Sequence, residues 1–115
     1  MSFYEYLKEA LEENPNEIVI DSPLYDSKGK EYRAVLVKDY KLGNGEPVVR
    51  IDQQFKDGSW DSTGGVWDVD TLLGKSKLGG DRPVGDRIYI DMGQNWYVDG
   101  MTKVMDEVKK ILGIE

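Results

Sequence analysis

Polar and apolar positions alternate, or form short apolar runs, through the middle of the chain, and helical spacing is clear near its two ends. The stretch from Glu31 to Phe55 reads as a β-hairpin. Ala34-Val35-Leu36-Val37 is apolar on both faces, which predicts a strand in the middle of its sheet. Asn44 and Gly45 both accept positive φ, so a two-residue type I′ turn is expected there. With those two at the centre, Tyr40 faces Val49, Lys38 faces Ile51 and Leu36 faces Gln53. On the other side Asp39 faces Arg50 as an opposite-charge pair. Pro47 opens the second strand, where a missing N–H does least harm.

Asp57-Gly58 repeats the turn signal, putting Trp60 across from Phe55 and starting a third strand near Ser59, broken by Asp61-Ser62-Thr63-Gly64-Gly65. Upstream, Glu17–Asp21 is a short β-branched strand expected beside the first hairpin strand. Ser22-Pro23 bends the chain, and Asp26–Lys30 forms a turn. Val66, Val69, Leu72 and Leu73 fit either a short strand followed by one helical turn or a single short helix, capped by Asp68 or Asp70. Residues 87–98 read as a second hairpin around Gly93-Gln94, with Tyr89 facing Val98 and Asp91 facing Trp96.

Phe3, Leu7, Ala10 and Leu11 share one helical face behind a Ser2/Glu5 capping box, and Asn14-Pro15 stops that helix. Met101, Val104, Met105, Val108, Ile111 and Leu112 form a second helical stripe, with Asp99 as the expected N-cap and Gly113-Ile114 as a Schellman ending. The pattern therefore predicts a single α+β domain over residues 1–115. Its antiparallel sheet has about five strands, a meander plus a second hairpin, flanked by N-terminal and C-terminal helices on one face. The opposite face, carrying Arg33, Asp39, Arg50, Asp52 and Gln54, is the first place to expect a binding surface.

Composition narrows the chemistry. The chain has no cysteine and no histidine, which removes thiolate chemistry and every Ser-His or Cys-His constellation. A hydrolase would need paired carboxylates, for which Asp52 and Asp91 are candidates; the reading is that the protein is not an enzyme. Asp57, Asp61, Asp68 and Asp70 do not match an EF-hand loop, so no metal and no cofactor are expected. Twenty-two acidic against fifteen basic residues give a net charge of -7. That charge repels duplex DNA and anionic membranes unless the cations cluster. No apolar run approaches ~18 residues, so no membrane partner is expected. The acidic, amphipathic N-terminus is unlike a signal or transit peptide, and a cytoplasmic location is the expectation.

Two surfaces stand out. Glu9, Glu12 and Glu13 crowd the end of the first helix as an acidic patch for a partner protein with a basic surface. In the glycine-rich stretch 74–87, Lys75, Lys77, Arg82 and Arg87 stand against two aspartates. Glycines let backbone N–H groups approach an anion, so this loop is a candidate contact for the partner protein, an anionic small ligand or a nucleic acid. The segment 48–69, with Lys56-Asp57-Gly58-Ser59-Trp60 and Gly64-Gly65-Val66, locally resembles the strand-turn-strand of the small single-stranded-DNA-binding transcriptional coactivators. It departs from them in having Asp61-Ser62-Thr63 where lysines precede the glycines, and it lacks their long following helix. The leading expectation is a small, acidic, non-enzymatic protein-binding module. One concrete form is a phage-type inhibitor of a host nucleic-acid-handling or defence protein, whose carboxylates compete with phosphates for a basic groove. The alternative is a binder of an anionic small ligand or single-stranded nucleic acid through the 74–87 loop and the sheet face.

Overall fold

The computed structural model describes residues 16–39, 45–74 and 83–114. Seven antiparallel strands form one sheet: β1 (Glu17–Val19), β2 (Leu24–Tyr25), β3 (Glu31–Val37), β4 (Val48–Gln54), β5 (Trp60–Asp68), β6 (Arg87–Asp91) and β7 (Trp96–Asp99). The order is β5-β4-β3-β2-β7-β6, with β1 also paired to β3. A single helical turn, α1 (Val69–Leu72), follows β5, and α2 (Met101–Leu112) follows β7.

This corrects the α+β expectation of about five strands flanked by helices. Among the described residues strand (44%) far outweighs helix (19%), and the sheet curls until it nearly closes as a barrel. The helix expected over residues 2–14 lies outside the described residues. The physical reason for the curl is visible in two segments, one expected as a bend and one as a break. Asp21, Ser22 and Pro23 together oppose Arg33 alone, because Ile20 bonds to Ala34 and Leu24 faces Tyr32. Thr63, Gly64 and Gly65 likewise oppose Ile51 alone, between the pairs Asp52↔Ser62 and Arg50↔Val66. Bulges bend a strand and raise its twist, so they curl a sheet where a clean break would have ended it. The chain therefore continues from Trp60 through the glycines to Asp68, and the strand-then-turn reading of 66–73 is the one observed.

The inner face carries the core. Tyr32, Ala34 and Leu36 from β3, Val49 and Ile51 from β4, Trp67 from β5, Ile88 and Val98 from β6 and β7 pack against Met101, Val104, Met105 and Val108 of α2. That helical stripe is the one the 3.6-residue spacing predicts. Its ending is also as read: Gly113 has φ 70°, and the Ile114 N–H donates to the Lys109 carbonyl at 2.8 Å. Its start is not. Gly100, at φ 119°, stands at the N-cap, and the Asp86 carboxylate accepts the Thr102 N–H at 2.9 Å. A Cβ on Gly100 would meet the Pro23 carbonyl oxygen at 3.0 Å, so a glycine is needed where the helix leaves β7 against β2.

Turn lengths set the register. The first hairpin pairs Leu36 with Val49 and Tyr32 with Gln53, four positions from the expected register, so Asp39 does not face Arg50. The second turn is a three-residue loop with Gly58 at φ 88°, closed by Gly58 N–H to the Phe55 carbonyl at 3.0 Å. Trp60 therefore faces Gln54, not Phe55. In the last hairpin Asp91 faces Trp96 as expected, but Tyr89 faces Tyr97. The Asn95 N–H donates to the Met92 carbonyl at 3.2 Å across Gly93-Gln94, so the turn is centred where it is predicted, and Asn95 follows it at φ 55°.

Among the described residues no helix is long and apolar enough to cross a membrane. A hydrogen-bonded relay ties the two halves of the sheet: Trp96 Nε1 donates to Tyr32 Oη (3.0 Å), which donates to Asp26 Oδ2 (3.1 Å). Burial opposes ionisation of Asp26, but the N–H groups of Lys30 and Lys28 and the Tyr32 hydroxyl outweigh it and hold the carboxyl below its usual 3.8. A lowered folded-state pKa gives stability that is present above 3.8 and lost as pH falls through the folded value. Asp26→Asn is therefore expected to be less stable than the parent at pH 7, with the gap narrowing below pH ~3.8; urea titrations across pH check this. Gly65 generates a second expectation. A Cβ there would run into the Trp67 ring, which is buried and cannot move aside freely. Gly65→Ala is expected to cost about 1–3 kcal/mol in denaturant unfolding.

Candidate functional site: the outer face of the sheet

Residues two apart on a strand share a face. Arg33 on β3 and Arg50, Asp52 and Gln54 on β4 therefore point away from the core together, as their alternation predicts. An even register shift, such as the four-residue one in the first hairpin, leaves faces unchanged. Glu17 joins this face from β1, and the one-residue slip of the second turn brings Trp60 onto it.

Asp52 is the buried charged residue of this face, only 2% exposed. Its carboxylate accepts Arg33 Nε at 3.0 Å, Arg50 Nε at 2.9 Å and Arg50 Nη2 at 3.2 Å. Arg50 Nη1 then reaches Glu17 on β1 at 3.1 Å. The hydrogen bond to Asp52 raises the already high pKa of Arg50 further, against the opposing effect of burial. The Arg33 guanidinium carbon lies 4.7 Å from the centre of the Trp60 ring. Beyond Arg50, Val35, Val37 and Val48 form a small apolar cluster on the same face.

A similar unit sits on the same face at the other end of the strand order. Arg87 faces Asp99 across β6 and β7 and contacts it through Nε at 2.9 Å and Nη2 at 3.4 Å. Its guanidinium lies 3.8 Å from the Tyr97 ring centre, and Tyr97 meets Tyr89 edge-on at 5.4 Å. The Asp99 bond raises the Arg87 pKa above its ordinary value. Asp99 therefore serves Arg87 and not the helix, which is why Asp86 supplies the cap. Tyr25, 45% exposed, pairs with both Glu31 and Asp99 and lies between the two units. An open groove of about 490 Å³ runs beside Arg87, lined by Val84, Asp86, Tyr89 and Asp99.

Of the residues singled out in the sequence, Glu9, Glu12, Glu13, Lys75, Lys77 and Arg82 lie outside the described residues. Arg87 is described, as the first residue of β6, held by Asp99. Asp39 lies beyond the end of β3 and is exposed. Asp52 is engaged by two guanidinium groups, and Asp91 accepts the Gln94 N–H at 3.3 Å in its own turn. Of the four aspartates weighed as metal ligands, Asp57 lies in a turn, Asp61 and Asp68 on β5 and Asp70 in α1, and no cluster of three or more acidic side chains that could hold a metal ion occurs among the described residues. The one-turn α1 is far from the long helix of the coactivator family resembled by 48–69. No protein-family model, curated protein or solved structure matches the chain.

The Trp60 and Tyr97 stacks were not legible in advance. Trp60 depends on whether the Asp57-Gly58 loop holds two residues or three. The Arg87–Asp99 pairing depends on a bulge between Tyr89 and Asp91. The signal that was present was the even spacing of Arg87 and Tyr89, and of Tyr97 and Asp99, along their strands.

The burial of Asp52 sets a contrast between two substitutions. Asp52→Asn leaves Arg33 without a counter-ion and Arg50 with Glu17 alone, and is expected to cost about 2–3 kcal/mol. Glu17→Gln removes a carboxylate that is 44% exposed, and less than about 1 kcal/mol is expected. Urea unfolding of the two variants beside the parent reads the difference.

Proposed function

We propose that the chain is a non-enzymatic protein-binding module that engages its partner through the outer face of the sheet. The observation that carries this reading is the pair of aromatic–arginine stacks, Trp60–Arg33 and Tyr97–Arg87, each with its guanidinium bonded to a carboxylate. Tryptophan, tyrosine and arginine dominate the energetics of protein interfaces, and side chains already held in place lose little entropy on binding. The bonded carboxylates also neutralise both arginines, which weakens their attraction for a phosphate backbone. The net charge of -7 favours a partner with a basic surface. The narrower form, an inhibitor of a nucleic-acid-handling protein such as phages direct against a host, draws its support from that charge.

A second reading has its own observation: Trp60, Tyr25, Tyr89 and Tyr97 share one face with three arginines, an arrangement on which single-stranded bases stack. One experiment separates the two. The immobilised chain and its Tyr89→Ala/Tyr97→Ala variant, matched for fold by circular dichroism, are exposed to nuclease-treated and untreated lysate. The module reading expects one protein retained from both lysates and reduced about tenfold by the double substitution. Retention unaffected by the substitution defeats the sheet-face reading. Recovery of nucleic acid, abolished by nuclease, favours the stacking alternative.

A further inference from the structure

Three described arginines line the outer face, and they differ in what their guanidinium groups still offer. Arg50 uses Nε, Nη1 and Nη2 on Asp52 and Glu17. Arg87 uses Nε and Nη2 on Asp99. Arg33 uses Nε alone, on Asp52 Oδ2 at 3.0 Å, and among the described residues neither of its Nη atoms has an acceptor. A guanidinium carries five N–H donors in a planar fork. In Arg33 the Nε edge is anchored by a buried carboxylate and the group is stacked on Trp60, while the Nη edge is open. The side chain is 28% exposed, so that edge reaches solvent. On the neighbouring strand the regular ladder is interrupted by the Asp21-Ser22-Pro23 bulge, opposite Arg33 itself. Bulges in a sheet commonly mark places where a side chain is re-aimed for contact.

We propose that the Nη edge of Arg33 is an oxyanion subsite that receives an aspartate or glutamate carboxylate of the protein partner. The proposal rests on the protein-binding reading and gives that partner a specific chemical feature. A carboxylate is planar and offers two acceptors at the spacing of the fork. Anchoring at Nε and stacking on Trp60 restrict the group before the ligand arrives, so binding costs less entropy. Charge selects the carboxylate over phosphate: Asp52 is bonded to Arg33, and Glu31 lies two residues away on the same face, so a doubly charged ligand is repelled more than a singly charged one. Within a partner surface that is basic as a whole, a single carboxylate seated on Arg33 fixes the register of docking.

The test uses the full chain and observes the Arg33 Nε–Hε and Trp60 indole N–H resonances at constant ionic strength. The probes are the peptide acetyl-Ala-Glu-Ala-amide, which carries a single carboxylate, and, for comparison, inorganic phosphate. The peptide is expected to shift both resonances saturably and to bind more tightly than phosphate. Arg33→Lys keeps the charge but loses the fork, and is expected to weaken peptide binding, followed at the Trp60 indole, about tenfold. Trp60→Leu leaves the Arg33–Asp52 bond in place, and is expected to weaken binding about threefold, read at Arg33; it serves as the reporter if the lysine variant does not fold. No saturable shift, equal binding by Arg33→Lys, or tighter binding of phosphate than of peptide each overturns the proposal. The lysate capture separates its failure from that of the broader reading. A partner lost with Tyr89→Ala/Tyr97→Ala but retained by Arg33→Lys removes the subsite and keeps the module. Arg33-dependent peptide binding without any protein captured by the sheet face does the reverse.

Discussion

Asp52 stands in the second strand of the first hairpin with its carboxylate almost wholly removed from water. An unpaired carboxylate in that position would cost several kcal/mol. Arg33 and Arg50 offset this cost with three hydrogen bonds, and in doing so they lose their own freedom. Much of the outer face follows from that exchange. Arg50 has one nitrogen left to hold Glu17, which ties β1 across β3 to β4. Arg33 is drawn onto Trp60, which ties β3 to β5. A single buried charge thus makes an ordered polar surface on the side of the sheet opposite the core.

The same sheet is held on its inner side by apolar packing and closed by irregularity. Each bulge sets three residues against one, and both lie next to the Arg33–Asp52 pair. They bend the strands around the buried stripe of α2 and bring the two hairpins into one curved sheet. The join between them is narrow: the two-residue strand β2 touches β7 at Tyr25 and Asp99. The Trp96–Tyr32–Asp26 relay and the close approach of Gly100 to Pro23 and Leu24 reinforce it from within.

A surface built this way has a particular chemical character. Its arginines are neutralised by partners in the same sheet, so they act through shape and directed hydrogen bonds more than through long-range charge. Its aromatic rings are held by stacking instead of floating on loops. Both features suit recognition of a folded partner at short range, while the acidity of the chain as a whole acts at longer range.

The alternation of polar and apolar residues was enough to assign Arg33, Arg50, Asp52 and Gln54 to one face, because the four-residue shift in the first hairpin preserves parity. The α2 stripe and its Gly113 ending were equally local, since they depend on spacing within a single element. What the tertiary structure alone decided were quantities set by loop length and bulges. One extra residue in the Asp57-Gly58 loop turned Trp60 toward Arg33, because in a strand a shift of one residue exchanges the faces. The bulge after Tyr89 gave Arg87 to Asp99, and that in turn left the helix cap to Asp86. Local sequence determines which elements form and which of their faces are apolar; how those faces are brought together across the sheet depends on the sum of turns and bulges, which no single segment contains.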